Sequence, residues 1–283
     1  MSQVLGGEGE TPLLEVQNIE VEREGTRILQ DFSWKVMPGE NWIIFGPNGA
    51  GKTTLLNVVQ AYLWPTSGKV KVFGGTLGDG VDVREMRRRI AVVSETVRSM
   101  INPSLSGLEC VITGGRAHLN IFDEPSEEER DKAHWLATAM KLDYLLEKPF
   151  SVMSTGERQR ILVCRALMAK PAIIVLDEPC SGLDLAAREW LLQTIAHAGQ
   201  PSASDEAAIE GAPSFLFTTH HVEEVLPMFT HALLIRKGKV FGSGETDEMF
   251  TSDRFSRLFD MDLVLKPDAG RWSARAAEAK ARE

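Results

Sequence analysis

Residues 46–53 read Gly46-Pro47-Asn48-Gly49-Ala50-Gly51-Lys52-Thr53 and match G-x-x-x-x-G-K-[ST], the pattern of a phosphate-binding loop. The apolar run before the loop, residues 42–45, predicts a strand, and residues 54–59 after it predict a helix. Glycines let the backbone turn its N–H groups toward phosphate oxygens, and the helix start adds a partial positive charge. We therefore expect residues 46–53 and Thr54 to bind the phosphates of a nucleotide. Within this set, Lys52 is expected to neutralise the β- and γ-phosphates and Thr53 to ligate Mg²⁺.

A second candidate motif is a pair of carboxylates, Asp177 and Glu178, at the end of the continuous apolar run 172–176. Such a run is typical of a strand covered on both faces, so the two acids lie at the tip of a buried strand. Asp177 is the candidate that holds Mg²⁺ through water, and Glu178 the one that directs the water attacking the γ-phosphate. Alone, the pair is equally consistent with two acids that end a strand. Together with a phosphate-binding loop, it predicts nucleotide hydrolysis.

The composition fits a globular protein and argues against a nucleic-acid binder. The chain has 283 residues, 43% of them hydrophobic, and a formal net charge of −9, whereas nucleic-acid binding usually needs a basic face. We interpret one basic cluster (Arg84, Arg87, Arg88 and Arg89) as a solvated helix face. Three cysteines without metal-ligand spacing predict a reduced, cytosolic setting. No apolar run is long enough to span a bilayer, so we expect any work at a membrane to be done through a partner.

Hydrophobic periodicity predicts most of the other strands and loops. Alternating apolar and acidic residues over 14–22 predict a half-buried strand, and residues 27–36 predict another. Residues 233–241 predict a hairpin, and the small, polar residues 199–213 predict a surface insertion. The tail from 273 to 283 is rich in Ala, Arg and Glu, which predicts a helical or frayed end.

The segment from residue 97 to residue 150 has a helical pattern. Ser126 and Glu129 form a capping-box sequence at the start of a predicted helix. The apolar residues that follow recur on one helix face: Ala133, Leu136, Ala137 and Met140. This segment is expected to form a separate helical lobe.

A third motif opens a predicted helix at residues 153–160, Met-Ser-Thr-Gly-Glu-Arg-Gln-Arg. The N–H groups of Ser154 and Gly156 at this helix start predict a second anion site. Here the sequence resembles the ATP-binding-cassette (ABC) ATPases, whose signature is LSGGQ or LSGGE followed by a basic-Gln-Arg run. Thr155 stands where that family usually has its first glycine.

Two further segments strengthen the resemblance because they come in the family's order. Ser181-Gly182-Leu183-Asp184 resembles the D-loop, and His220, after the predicted strand 214–219, occupies the position of the switch histidine. His221 replaces the Asp that is usual there, and we interpret it as a bystander. The resemblance implies that Glu178, His220 and Lys52 are the catalytic residues, and that Ser154, Gly156 and Glu157 contact the nucleotide.

The resemblance covers about residues 13–250 and implies an α/β fold of the P-loop NTPase class. The expected architecture is an ABC-type ATPase with a RecA-like mixed-sheet core, an antiparallel β subdomain and an α-helical subdomain at about residues 97–165. Residues 1–12 then form a loose N-terminus, and residues 251–283 form a C-terminal extension.

Two positions depart from the family pattern. Arg23 stands where the family usually stacks an aromatic ring on adenine, and a guanidinium can stack there too, though more loosely when exposed. Glu95 stands where the family has a Gln that contacts Mg²⁺ and the attacking water. A carboxylate can still ligate Mg²⁺, so Glu95 stays among the expected metal ligands with Thr53 and Asp177.

The resemblance implies an ATPase with ATP and Mg²⁺ as cofactors. It also implies head-to-tail pairing with a second cassette, as a homodimer. As the ATP-binding subunit of an ABC transporter it would drive a separate integral membrane permease, and it would lie in the cytoplasm on the inner face of the cell membrane. The alternative is a soluble ABC ATPase that acts in protein or cofactor assembly. A kinase or small GTPase is disfavoured because neither has the 154–157 helix start. The sequence leaves the transported species open, because the cargo contacts the permease.

Overall fold

The structure is a computed structural model that describes residues 11–199 and 212–277. The expected loose N-terminus, the insertion and the end of the tail lie largely or wholly outside these residues. In the described ranges the strands are β1 (Leu14–Arg23), β2 (Thr26–Val36), β3 (Trp42–Phe45), β4 (Ser67–Val72), β5 (Gly75–Thr76), β6 (Ile90–Val93), β7 (Ile173–Asp177), β8 (Ser214–Thr219), β9 (His231–Arg236), β10 (Lys239–Glu245), β11 (Leu263–Asp268) and β12 (Arg271–Ala276). The α-helices are α1 (Lys52–Val59), α2 (Val83–Arg88), α3 (Glu95–Met100), α4 (Gly107–Gly115), α5 (Glu127–Ala139), α6 (Thr155–Met168), α7 (Leu185–Ala198), α8 (Thr246–Met249) and α9 (Ser252–Phe259).

A six-stranded mixed sheet forms the centre of the fold, in the order β10-β9-β3-β8-β7-β6. Its strands are parallel except for β10, which returns antiparallel to β9. Both faces are covered, since alternate residues of β3 enter two different hydrophobic cores: Ile43 packs with the helical side and Ile44 with the antiparallel side. Burial on both faces explains why these strands are continuous apolar runs. The expected mixed-sheet core is confirmed.

The antiparallel subdomain is a sheet in the order β2-β1-β4-β5. Alternate residues of β1, such as Leu14 and Val16, are fully buried, which is the pattern of a strand with one solvated face. The register shifts near Asn18, whose φ of 46° is left-handed, and the inward face then continues through Ile19. This sheet packs with α1 against the central sheet, which confirms the expected subdomain.

The helical lobe holds α3 to α5 and leads into α6, as expected. Its predicted capping box forms, because the Ser126 hydroxyl accepts a hydrogen bond from Glu129 N and the Glu129 carboxylate accepts one from Ser126 N. The predicted apolar face of α5 is buried: Ala133, Leu136, Ala137 and Met140. No helix in the described ranges combines the length and the apolar character that a membrane span requires.

The prediction of a helical or frayed tail is wrong for residues 273–276, which belong to β12. This strand pairs antiparallel with β11 in register from Leu263–Ala276 to Asp268–Arg271. Trp272 packs the hairpin against the rest of the fold, with its ring centroid 5.3 Å from that of Phe250. The local preference of Ala, Arg and Glu for helix is outweighed by this pairing and packing.

The basic cluster is only partly a solvated helix face. Arg87 donates to the carbonyls of Gln60 (3.0 Å) and Ala61 (2.8 Å) at the C-terminus of α1 and lies over the ring of Tyr62. Arg89 lies over the ring of Phe73. A guanidinium at this end of a helix satisfies free carbonyls and complements the helix dipole, so the cluster has a structural role.

Candidate functional site

The predicted phosphate-binding loop connects the carboxyl end of β3, an inner strand of the central sheet, to the start of α1. Gly49 (φ 76°) and Gly51 (φ 108°) adopt left-handed conformations that favour glycine. No side chain caps the start of α1, and its first turn carries no acid. The N–H groups of this helix start are therefore available to an anion, while Asn48 and Thr53 are exposed to solvent beside them.

The loop is held from outside by the β9–β10 hairpin. A side chain at Gly46 would place its Cβ 2.3 Å from the carbonyl oxygen of Ile235, so β9 leaves no room for one. Gly238 N donates to Ala50 O at 3.0 Å, and its own carbonyl accepts from Gln30 N at 2.9 Å. Gly238 thus links the phosphate loop to β2. The sequence predicted this hairpin but carries no local signal that it supports the loop.

Lys52 is buried and lies across the loop. Its ammonium donates to Gly46 O at 2.8 Å and lies 3.4 Å from Pro47 O. It also lies 3.4 Å from the Glu178 carboxylate. The structure therefore brings together the predicted phosphate-binding lysine and the predicted water-directing acid.

Asp177 and Glu178 are positioned by Thr218, a fully buried residue on the neighbouring strand β8. Its hydroxyl donates to Asp177 Oδ1 at 2.7 Å and accepts from Glu178 N at 2.9 Å. No motif marks Thr218. The signal that could have found it is the strand register, which places Thr218 directly opposite Asp177.

The surroundings of the two acids differ. Burial raises the pKa of the Asp177 carboxyl, and the Thr218 hydrogen bond, Lys52 and Thr53 only partly offset that increase. Glu178 is a non-glycine residue with a φ of 44°, in the left-handed region that favours glycine. Its carboxylate faces out of the sheet toward Lys52.

The residues around Asp177 suit Mg²⁺. The Thr53 side chain, in the first turn of α1, acts to lower the pKa of the Asp177 carboxyl. Both groups are hard oxygen donors, and Mg²⁺ is typically held by one or two protein oxygens together with phosphate oxygens and water. Within the described residues, no group of three or more His, Cys, Asp or Glu side chains is arranged to hold a metal ion by itself.

His220 lies beside the Glu178 carboxylate. Its Nδ1 is 3.6 Å from Glu178 Oε1, and within the described part of the chain this buried nitrogen makes no hydrogen bond. The loop that carries it is held by Glu224, a buried acid whose carboxylate accepts from the Thr219 hydroxyl. Burial raises the pKa of Glu224 despite that hydrogen bond.

The predicted second anion site is the start of α6. The Ser154 hydroxyl accepts from Glu157 N at 3.2 Å and keeps its own proton free to donate. Burial favours a raised pKa for Glu157, but hydrogen bonds from Lys148 and Ser154 outweigh it and hold the pKa below its usual value. The hydrogen bonds and ion pairs of the described residues do not join this helix start to the phosphate loop of the same chain.

The two departures from the family pattern have defined places. Glu95 begins α3, just after β6, whose Val93 pairs with Leu176 of β7, so Glu95 emerges at the same sheet edge as Asp177. Its largely exposed side chain forms an ion pair with Arg98. Arg23 is exposed at the end of β1, where it pairs with Thr26 across the hairpin. Among residues 11–199 and 212–277, no hydrogen bond or ion pair joins either side chain to the phosphate loop.

Comparison with known proteins agrees with the motifs. A family model described as ABC transporter matches residues 29–181. The ABC transporter ATP-binding protein YlmA of Bacillus subtilis (strain 168) is 42% identical over 251 residues, which cover 89% of this chain and 92% of YlmA.

Two solved structures share the fold. A metal-chelate type ABC transporter in an inward-facing conformation superposes with a TM-score of 0.72 at 24% identity, covering 96% of this chain and 99% of that one. The dimeric cassette MJ0796 in a post-hydrolysis state with ADP and Pi superposes with a TM-score of 0.66 at 23% identity. The match covers 82% of this chain and 98% of the MJ0796 chain.

These relatives favour a transporter subunit over an assembly ATPase, in agreement with the motifs assembled above. Because the family model spans more than half of the chain and YlmA is similar over most of it, this chain belongs to the ABC transporter ATP-binding proteins, the nucleotide-binding ATPase subunits of ABC transporters.

Proposed function

We propose that two copies of this chain pair head to tail and bind two Mg-ATP between them. The observation that carries this proposal is the pair of separate anion-binding helix starts, at Gly51 and at Ser154. The first helix start, that of α1, lies with Lys52, Asp177 and Glu178. The second is the start of α6, where Ser154 is exposed. Both helix starts serve one nucleotide when the Ser154 helix start comes from a second copy, and an isologous pair supplies two such sites by symmetry.

Each side chain has one role in this proposal. Lys52 neutralises the β- and γ-phosphates, and Glu178 accepts a proton from the water that attacks the γ-phosphate. His220, whose Nδ1 lies 3.6 Å from Glu178 Oε1, orients that water or the γ-phosphate. Ser154 donates its hydroxyl proton, and Gly156 its N–H, to the γ-phosphate bound by the partner.

Thr53 and Asp177 are the residues that would hold Mg²⁺, with Glu95 as a further carboxylate at the same sheet edge. When bound, the ion offsets charge on the phosphate oxygens. Arg23, beside the turn of the β1–β2 hairpin, is the candidate for contact with the adenine ring. A guanidinium stacks there with less area than a large aromatic ring, so base selectivity is expected to be low.

The pairing is tested with Glu178→Gln. This variant keeps the phosphate loop intact and removes the proton acceptor, so it should bind Mg-ATP, hydrolyse it very slowly and accumulate as a dimer in analytical ultracentrifugation. The matched control, Glu178→Gln with Ser154→Arg, should bind ATP and remain monomeric because the second helix start is blocked. A Glu178→Gln protein that stays monomeric in excess Mg-ATP contradicts the proposal.

We further propose that the cassette pair drives a separate integral membrane permease at the inner face of the cell membrane. Family membership supports this proposal, since the similar proteins are transporter subunits. Affinity purification of the tagged chain from detergent-solubilised membranes tests it. Recovery of a polytopic membrane protein in stoichiometric amount is expected. Recovery of the chain with soluble assembly proteins and no permease would support the assembly ATPase instead.

A further inference from the structure

Helix α7 connects several parts of the site through its first two turns. The helix is capped by Asp184 of the D-loop, whose carboxylate accepts from Ala187 N at 2.8 Å. Ala187 also packs against the start of α6, because a Cβ built on Gly156 would lie only 2.8 Å from the Ala187 Cβ. The position of α7 therefore sets the position of the second anion site.

Two residues further along α7, Glu189 contacts the C-terminal hairpin. Arg271 Nη1 lies 2.9 Å from Glu189 Oε1 and 2.7 Å from Oε2, so one nitrogen faces both carboxylate oxygens. The same nitrogen lies 3.5 Å from Glu223 O, three residues after the switch histidine His220. Strand β12, on which Arg271 lies, also packs against the short 3₁₀ turn at Val222–Glu224.

The hairpin is itself fixed to the cassette. Ser252, at the start of α9, bonds both the N–H (2.9 Å) and the carbonyl (3.2 Å) of Leu265 in β11. Trp272 packs on Phe250, which in turn contacts Phe45 of β3, the strand that leads into the phosphate loop. Arg271 thus projects from a rigid base between α7 and the switch-histidine loop.

We propose that Arg271 is a positioning residue for ATP hydrolysis, which ties the C-terminal hairpin to α7 and to the loop that carries His220. Through the loop it acts on the nucleotide bound by its own chain, and through α7 and Gly156 it acts on the nucleotide bound by the partner. The inference rests on the roles given to His220 and to the Ser154 helix start in the proposed function.

A purely structural role and a positioning role predict different results. The Arg271–Glu189 pair is partly exposed, with 27% and 33% of the side chains accessible, so its loss should change stability little. Displacement of reacting groups by about 1 Å can cost up to about 100-fold in rate. Lys52 and its loop are not touched by Arg271, so ATP affinity should be nearly unchanged while turnover falls.

The test measures kcat, KM for ATP and the unfolding midpoint of the full chain. Arg271→Met and Glu189→Gln should each lower kcat by about 10-fold or more, with KM within about twofold of the wild type. Their unfolding midpoints should shift by no more than about 3 °C. Arg271→Lys should keep part of the activity, because its ammonium can still donate to Glu189.

The matched control is Arg257→Met, which removes another arginine ion pair of the same extension, the one with Asp253 on α9. This variant should keep the wild-type kcat. The inference is overturned if Arg271→Met and Glu189→Gln turn over ATP like Arg257→Met. Failure of the proposed function looks different, since the wild-type chain itself would then not hydrolyse ATP or its Glu178→Gln variant would not dimerise.

Discussion

Replacement of Thr218 by Val should impair both folding and turnover, although the two side chains are nearly isosteric. The hydroxyl of this fully buried residue joins the two acids of the site. It donates to Asp177 Oδ1 at 2.7 Å and accepts from Glu178 N at 2.9 Å. In Thr218→Val the carboxylate oxygen and the N–H both lose their partner, and a methyl group takes the place of the hydroxyl.

The size of the effect follows from these two hydrogen bonds. A bond to a charged group contributes about 1.5–3 kcal/mol and a neutral one about 1 kcal/mol, so Thr218→Val should lower the free energy of unfolding by about 3 kcal/mol. No cavity term is added, because Val fills the same volume. The loss of the donor should also raise the pKa of Asp177 further, since the Thr218 hydrogen bond now holds it down. Turnover should fall by up to about 100-fold, because the backbone at Glu178 loses its anchor.

Urea unfolding and steady-state ATPase assays measure the two effects. The matched control is Thr113→Val in the helical lobe. Thr113 is also fully buried, and its hydroxyl donates to Cys110 O at 2.6 Å and accepts from Arg165 Nε at 2.9 Å. The control should lose stability to a similar extent and keep the wild-type kcat per folded molecule.

The two variants together show whether Thr218 positions the acids or only stabilises the fold. If Thr218→Val retains the wild-type kcat while its stability falls like that of Thr113→Val, then Thr218 only stabilises the fold and does not position the acids. If its stability is also unchanged, the two hydrogen bonds contribute nothing and the reasoning is refuted.

Three further predictions concern Glu95, Gly156 and Glu129. Glu95→Gln should keep or tighten Mg-ATP binding in calorimetry, because it removes a negative charge from the sheet edge; a large loss of affinity would refute this. Gly156→Ala should destabilise the protein by about 1–3 kcal/mol and abolish ATP-driven dimerisation, because the new Cβ would lie 2.8 Å from that of Ala187; a dimer of normal stability would contradict it. The Arg116 hydrogen bond lowers the pKa of Glu129 from 4.5 to about 2, so this carboxylate stabilises the fold above pH 4.5 and the contribution disappears as the pH falls toward 2. Acid titration of unfolding should therefore be shallower in Glu129→Gln, and equal slopes would exclude the effect.

The sequence predicts best those parts of the site that are local. The phosphate loop needs only its own glycines, the strand before it and the helix after it. In the structure Gly49 and Gly51 have positive φ angles and Lys52 donates to Gly46 O. The meeting of Lys52, Glu178 and His220 follows from the family order of motifs, and the distances agree with it.

The residues that support the site are not predictable in the same way. Thr218, Gly238 and Arg271 act through strand register or through hairpins distant in sequence, and no local pattern marks such contacts. The tail shows the same limit, because the helix-favouring residues of β12 are held as a strand by pairing with β11. The composition of a segment describes its own preferences, whereas its neighbours in space decide between them.

The left-handed backbone at Glu178 has a consequence for how this enzyme can change. A side chain at a φ of 44° costs free energy that glycine would not, so Glu178→Gly should relax the turn after β7 while it removes the proton acceptor. At this position, a substitution that raises the stability of the fold therefore lowers the rate of ATP turnover. A screen for heat-resistant variants would select substitutions at this position that stabilise the protein and abolish ATP hydrolysis.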